Sequence, residues 1–130
     1  MKKEFSLKEQ LEIIRKNGLN IQYIENPTDK EKWETINGEP YTIEIIKNST
    51  EEMKISAIKY EYRIFEKFNS PTNAMKVEVI KQCSDYIYFV GELEEKSYLE
   101  LIKENPFLIL GVKKLTNKII ECCETKLNNY

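Results

Sequence analysis

The three cysteines, Cys83, Cys122 and Cys123, are the side chains best suited to bind a metal or act as nucleophiles, and the chain has no histidine. Cys122 and Cys123 are adjacent, so they cannot easily form a normal disulfide, and an odd number of cysteines argues against a disulfide framework. No pair has the C-x-x-C spacing typical of zinc sites. We therefore predict small buried residues on helices and expect neither metal nor cofactor.

Adjacent carboxylates could provide general acid–base chemistry, and Glu51-Glu52 and Glu94-Glu95 form two such pairs. A catalytic pair needs a desolvated pocket that shifts the pKa values of its members. Acidic residues also favour the first turn of a helix, where they complement the helix dipole. The chain has no G-x-S-x-G motif and no glycine-rich phosphate loop. These observations predict that the protein is not an enzyme.

Four of the eight tyrosines, Tyr60, Tyr62, Tyr86 and Tyr88, occur in two corresponding stretches, with Arg63 beside the first. Tyrosine and arginine are enriched at interface hot spots because they combine a large contact area with a polar group. Alternatively, several of these tyrosines flank the core and keep their hydroxyls in water. We take the four tyrosines and Arg63 as candidate protein-binding residues.

Glutamates are followed three residues later by a basic residue in several stretches. The pairs are Glu12 with Arg15, Glu78 with Lys81, and Glu100 with Lys103. At this spacing the two side chains are neighbours on one helix face and attract each other weakly. The pattern indicates a solvated outer face, although a charge-recognition role is the alternative.

Apolar residues recur with a period of 22. The clearest column holds isoleucine in all five units: Ile14, Ile36, Ile58, Ile80 and Ile102. Further apolar columns lie three residues before this isoleucine, and seven and ten residues after it. They contain Leu11, Trp33, Ile55, Val77 and Leu99; Ile21, Ile43, Phe65, Ile87 and Ile109; and Ile24, Ile46, Phe68, Val90 and Val112. Since residues three apart share a helix face, each unit is predicted to contain two short amphipathic helices.

Turn and capping residues separate these helices. The breaks before the second helix are Asn17-Gly18, Glu39-Pro40, Ser84-Asp85 and Asn105-Pro106, in which Asn and Ser suit an N-cap and Pro suits the first turn. A threonine column marks where the first helix of the following unit begins. It holds Thr28, Thr50, Thr72 and Thr116, and only Glu94 interrupts it. Capping-box patterns occur at Ser6–Glu9, Thr28–Glu31 and Ser49–Glu52. We expect a first helix of about nine residues and a second of about seven.

The sequence therefore predicts an all-α fold, a short right-handed α-solenoid of five 22-residue helix-pair repeats plus a C-terminal capping helix. The predicted repeats are 9–30, 31–52, 53–74, 75–96 and 97–118, followed by the cap 119–130, in one domain covering 1–130. Such short helices are marginal alone, so stability must come from stacking the apolar columns into a core. Ile119, Ile120, Cys123 and Leu127 make the cap amphipathic.

The first unit, LEIIRKNGLNIQYIENPT (residues 11–28), resembles a bacterial tandem-repeat family of uncharacterised function whose units read approximately LEAVKQNGxALQYVKNQT. The resemblance covers roughly residues 9–118. It is carried in the first unit by Asn17-Gly18 and the stretch 21–24, and in the fifth unit by residues 99–106. Units two to four share mainly the core columns. The resemblance implies a helical stack and supplies no catalytic residues.

The charge pattern bears on nucleic-acid binding, and the hydropathy pattern bears on membrane and secretory segments. The net charge is −2 and lysine alternates with glutamate, whereas a nucleic-acid-binding protein normally carries a basic stripe. No apolar run reaches the roughly 20 residues of a membrane-spanning helix, and no apolar core follows the basic start Met1-Lys2-Lys3 as a secretory signal requires. We therefore expect a cytoplasmic protein without a membrane segment.

The expected function is a non-catalytic protein-binding module, because stacked helix pairs expose an extended surface that repeat proteins use to hold another protein. A small inhibitor, an immunity protein, or a phage or mobile-element antagonist of a bacterial enzyme would fit this form. The alternative is a nucleic-acid-binding helical repeat protein, which reads bases through variable polar residues in fixed columns. The partner's identity, the binding face and the oligomeric state stay open.

Overall fold

The computed structural model describes residues 5–129, and this part of the chain is all-α, without a β-strand. Six α-helices alternate there with five short 3₁₀-helices, labelled η. In chain order they are α1 (Leu7–Lys16), η1 (Gly18–Tyr23), α2 (Asp29–Gly38), η2 (Pro40–Glu44), α3 (Glu51–Tyr60), η3 (Tyr62–Lys67), α4 (Asn73–Gln82), η4 (Ser84–Tyr88), α5 (Glu95–Glu104), η5 (Pro106–Gly111) and α6 (Asn117–Leu127). The predicted all-α class is confirmed.

Each α-helix begins 22 residues after the preceding one, and so does each 3₁₀-helix. The chain forms two compact units, one ending at Asn69 and the other beginning at Ser70. In the first unit α1 packs on α2, α2 packs on α3, and η2 packs on α3 and η3. In the second unit α5 packs on both α4 and α6, and η5 packs on η4 and α6. The right-handed solenoid and the single domain 1–130 stay predictions, and residues 1–4 and 130 lie outside the described part.

A hydroxyl cap starts five of the six α-helices. The caps are Ser6, Thr28, Thr50, Thr72 and Thr116, and each hydroxyl accepts a hydrogen bond from the backbone N–H three residues on. This bond satisfies a donor that has no partner within the helix. The predicted capping boxes Ser6–Glu9 and Thr28–Glu31 are confirmed. The predicted box Ser49–Glu52 is wrong, because Thr50 is the cap and its hydroxyl binds the N–H of Met53.

Glu94 is the exception in this column, because its side chain makes no capping hydrogen bond to α5. Its backbone is extended, with φ −66° and ψ 147°, close to the values at Thr72. We therefore expect Glu94→Thr to raise the free energy of unfolding by about 1 kcal/mol. Urea denaturation measures this, with Thr116→Ala, expected to lose about 1 kcal/mol, as the matched control. If Glu94→Thr lowered the free energy of unfolding while Thr116→Ala lost the expected amount, the expectation would be contradicted.

The second helix of each repeat is a 3₁₀-helix of five or six residues, shorter than the predicted seven. The residue between the α-helix and the 3₁₀-helix is extended in every repeat, with φ between −139° and −159°. The hydrogen bonds at the ends of η1, from Asn20 N–H to Asn17 O and from Ile24 N–H to Ile21 O, span three residues, which is the 3₁₀ pattern that proteins use in short pieces. The predicted caps Asn17 and Asn105 are confirmed, whereas Cys83, and not Ser84, occupies the cap position of η4.

The central isoleucine column lies in the core, and the other predicted columns are buried in part, with Trp33, Ile55 and Leu99 among their half-buried members. All five residues of the central column, Ile14, Ile36, Ile58, Ile80 and Ile102, are no more than 3% exposed. In the first unit Ile14 and Ile36 belong to one cluster with Ile21, Ile43, Ile46, Met53, Ala57 and Ile64. In the closing helix α6, Ile119 and Cys123 are buried, but Ile120 and Leu127 are exposed, so its apolar side is narrower than predicted.

Candidate functional site

The adjacent carboxylates lie where helices begin. Glu51 and Glu52 are the first two residues of α3 and are exposed. Glu94 and Glu95, together with Glu92 and Lys114, line an open cleft of about 400 Å³ in the second unit. Glu94 is exposed and Glu95 is half-buried, so this cleft leaves its carboxylates in contact with water. Neither pair therefore has the desolvated setting that acid–base catalysis requires.

The three cysteines are all free thiols. Cys123 is buried in α6, where its Sγ donates to the Pro106 carbonyl oxygen at 3.4 Å. Burial raises the pKa of the Cys123 thiol, which keeps it protonated and unreactive. Cys122 is half-buried. Cys83 was predicted to lie on a helix, but it occupies the cap position before η4. Within residues 5–129, no group of three or more His, Cys, Asp and Glu side chains is placed to hold a metal ion.

Charged side chains on the outer face form ion pairs between successive helices. Arg15 Nε donates to Glu34 Oε1 at 2.6 Å, and Lys81 Nζ donates to Glu100 Oε1 at 2.8 Å. Each pair joins successive α-helices within one unit and spans 19 residues. The hydrogen bond to Glu34 is the main cause that raises the pKa of Arg15. Glu12 and Glu78 also attract Arg15 and Lys81 electrostatically, as their spacing predicts, but the hydrogen bonds of both cations go to the neighbouring helix.

Three of the five candidate protein-binding residues lie in the first unit. Tyr60 ends α3 and is 66% exposed, while Tyr62 begins η3 and is half-buried. The Arg63 guanidinium carbon lies 5.9 Å from the centroid of the Tyr62 ring, and a hydrogen bond to Tyr62 is the main cause that raises the pKa of Arg63. Tyr41, which the sequence interpretation did not select, is half exposed and also acts electrostatically on Arg63. The first unit therefore places the Arg63 guanidinium near the Tyr62 ring, and Tyr41 lies on η2, which packs against η3.

The other two candidates, Tyr86 and Tyr88, lie in η4 of the second unit. Tyr86 is half-buried, and its ring meets the edge of Phe89 with centroids 6.3 Å apart. Tyr88 is 53% exposed and Phe89 is 77% exposed. On η5, which packs against η4, Phe107 and Leu110 are 65% and 76% exposed. We call Tyr88, Phe89, Phe107 and Leu110 the apolar face of the second unit.

These exposed residues occupy fixed positions in the repeat. The second residue of every 3₁₀-helix is exposed, a set formed by Leu19, Tyr41, Arg63, Asp85 and Phe107. The fifth residue is exposed as well, and these residues are Gln22, Glu44, Glu66, Tyr88 and Leu110. Residue type varies along both sets while the backbone position is constant. The sequence interpretation missed Phe89, Phe107 and Leu110 because it selected tyrosines and an arginine, and it missed Tyr41 because it took only the tyrosines of two corresponding stretches. Their places outside the core columns were already a signal.

Comparisons with known proteins give no family for this chain. No family model matches the sequence, no curated protein matches it, and no solved structure matches the fold. The predicted resemblance to the bacterial tandem-repeat family therefore stays a prediction. Of the helices within the described residues, none has the length and apolar character needed to cross a bilayer.

Proposed function

We propose that this chain is a non-catalytic protein-binding module whose contact surface is formed by the exposed positions of its 3₁₀-helices. The observation that carries the proposal is the apolar face of the second unit, in which four large apolar or aromatic side chains are 53–77% exposed. Single exposed apolar residues are common, but a group of them is typical of an interaction surface; here Tyr88, Phe107 and Leu110 lie on two packed helices and Phe89 directly follows the first of these. Aromatic residues are also those that contribute most at interfaces.

The repeat provides the rigid support that such a surface needs. Ile87 and Leu108 are buried on the inner sides of η4 and η5 while their neighbours Tyr88 and Phe107 face outward. The outward residues thus sit on a backbone that the core already orders, so binding costs less conformational entropy. In the first unit, Tyr41, Tyr62 and Arg63 form a more polar group of the same kind, in which arginine lies against an aromatic ring.

Within this class we propose a small inhibitor, an immunity protein, or a phage or mobile-element antagonist of a bacterial enzyme. The alternative, a nucleic-acid-binding repeat, is supported less well by the exposed side chains. The fifth positions of η2 and η3 hold Glu44 and Glu66, and those of η4 and η5 hold Tyr88 and Leu110. Carboxylates repel phosphates, so this column lacks the basic track that nucleic acid requires.

The experiment compares wild-type protein with the double variant Phe89→Ala/Leu110→Ala as immobilised baits in lysate from the native host. We expect the wild type to retain a specific protein, which mass spectrometry identifies. The purified partner should then bind the double variant at least tenfold more weakly than the wild type, a loss of about 1.4 kcal/mol of binding free energy. Leu127→Ala is the matched control, because Leu127 is exposed on α6 of the same unit and lies outside the apolar face.

Circular dichroism must show equal helicity for wild type, variant and control. Retention that is the same for the wild type and the double variant would overturn the proposed surface. Tight, salt-sensitive binding of nucleic acid in a low-salt gel shift would overturn the proposed class of function.

A further inference from the structure

A cleft of about 600 Å³ opens in the first unit between the segments that follow η1 and η2. Its walls are residues 21–27 and 45–48, and the side chain of Lys32 from α2 reaches it between them. Ile24, Ile45 and Ile46 give the cleft an apolar lining, and Tyr23 stands at its edge, 80% exposed. The volume lies within the range of about 300–1,000 Å³ that is typical of ligand sites.

Lys32 is the unusual residue of this cleft, because it is only 9% exposed. Its Nζ donates a single hydrogen bond, to the Asn48 carbonyl oxygen at 3.3 Å. An ammonium group has three donors, so two remain for another partner. Lys32 takes part in neither of the ion pairs Arg15–Glu34 and Lys81–Glu100. A buried ammonium without a counter-charge is costly, and an anion in the cleft would offset that cost.

The remaining charged residues of the cleft favour a singly charged ligand. Lys47 lines the wall of the cleft and is exposed, and Glu25 is exposed on the other wall. Among the residues that line the cleft, Glu25 offsets one of the two lysines, which leaves a net charge of +1 and makes Lys32 the buried cation of the lining. The carboxylate of the neighbouring Glu31 is buried as well, but Glu31 does not line the cleft. One ammonium matches one carboxylate, whereas phosphate carries more charge and is usually held by several donors or a planar guanidinium.

The same repeat position holds lysine three times, as Lys32, Lys54 and Lys76, and then Tyr98 and Ile120. The Tyr98 hydroxyl accepts a hydrogen bond from the Leu93 N–H at 3.1 Å, so this side chain is bonded within its own repeat. The cleft beside Tyr98 is smaller and is lined by Glu92, Glu94 and Glu95. In the repeat after Lys32, Lys54 occupies the same position, and its Nζ lies 5.9 Å from the centroid of the Phe68 ring. Lys54 and Lys76 are half-buried, so Lys32 is the most buried lysine of this column.

We infer that this cleft binds a glutamate or aspartate side chain presented by a peptide segment of a partner protein. The carboxylate accepts hydrogen bonds from the Lys32 ammonium, and flanking apolar residues of the peptide contact Ile24 and Ile46. The cleft is a second binding site, separate in its residues from the apolar face of the second unit. It goes beyond the proposed function, and either can fail without the other.

The test uses a phage-displayed library of random heptapeptides selected against the full-length protein. We expect the wild type to enrich peptides with glutamate or aspartate at one position next to aliphatic residues. Lys32→Gln, which removes the charge and keeps a side-chain N–H donor, should lose this acidic preference. Lys54→Gln is the matched control at the same repeat position and should keep it, and so should Phe89→Ala/Leu110→Ala.

Isothermal titration calorimetry of the selected peptide then measures how much its carboxylate contributes to the binding affinity. Changing its acidic residue to the amide should weaken binding to the wild type at least tenfold, a result that does not depend on the folding of any variant. Backbone amide shifts on titration should concentrate in residues 21–27 and 45–48. Selection without acidic enrichment, equal binding of the amide peptide, or equal selection by Lys32→Gln and Lys54→Gln would overturn the inference. N-acetylglutamate amide that binds as tightly as the peptide would overturn the assignment to a peptide segment.

Discussion

Replacing Ile36 by alanine should lower the free energy of unfolding by about 2–5 kcal/mol. Ile36 has 0% exposure and lies in the cluster that joins the α-helices and 3₁₀-helices of the first unit. The substitution removes three carbons from a site whose neighbours, among them Ile14 and Ile43, are fixed by their own packing. The loss therefore combines transfer of the deleted atoms with the cost of the cavity. Urea denaturation followed by circular dichroism measures it.

Two control variants show whether the effect comes from core packing. Ile36→Val deletes one methyl group and should cost about 0.5–1.5 kcal/mol. Leu19→Ala removes a side chain of the same unit that is 47% exposed, and its effect should stay within about 0.5 kcal/mol. A loss at Leu19 equal to that at Ile36 would contradict the assignment of the isoleucine column to the core.

Replacing Gly111 by alanine should destabilise the protein by about 1–3 kcal/mol through overpacking. A Cβ atom placed on Gly111 would clash with Cγ2 of Ile87 and would lie 3.1 Å from its Cγ1. Ile87 is 2% exposed, so its β-branched side chain cannot turn away without disturbing the core. The close approach of η5 to η4 therefore depends on the missing side chain. Thermal and urea denaturation of the variant measure the cost.

Gly38→Ala is the matched control for this substitution. Gly38 is the last residue of α2, and no atom would lie within 4 Å of an added Cβ. Alanine there should stabilise the helix by about 0.4–1 kcal/mol, because it reduces the freedom of the unfolded chain. If both glycine substitutions changed stability in the same direction, packing against Ile87 would not be the reason for Gly111.

The sequence predicted the α-helical half of each repeat well because two independent signals coincide there. The hydroxyl column at Thr28, Thr50, Thr72 and Thr116 locates each helix start, and the isoleucine column locates its buried face. The 3₁₀ form of the second helix was not predictable from apolar spacing alone. The extended residue that precedes each of these helices, such as Glu39 or Cys83, is not marked by a single residue type.

The candidate surface was predicted only in part. Selection by residue type found Tyr60 and Tyr88, which are exposed, but also Tyr62 and Tyr86, which are half-buried. The ion pairs of Arg15 and Lys81 span 19 residues, a spacing that is visible only once successive helices are known to pack side by side. Lys32 carried no signal in the sequence, because its burial results from the segments that follow η1 and η2.

The separation of inward and outward positions on the 3₁₀-helices has a consequence for how this protein can change over evolution. Substitutions at exposed positions such as Tyr41, Arg63 or Phe107 remove little from the interior, and surface changes of this kind usually alter stability by no more than about 0.5 kcal/mol. Five copies of the same scaffold therefore offer five places where new side chains can be tried without loss of folding. A lineage under pressure from a changing target could exchange its outer residues one repeat at a time.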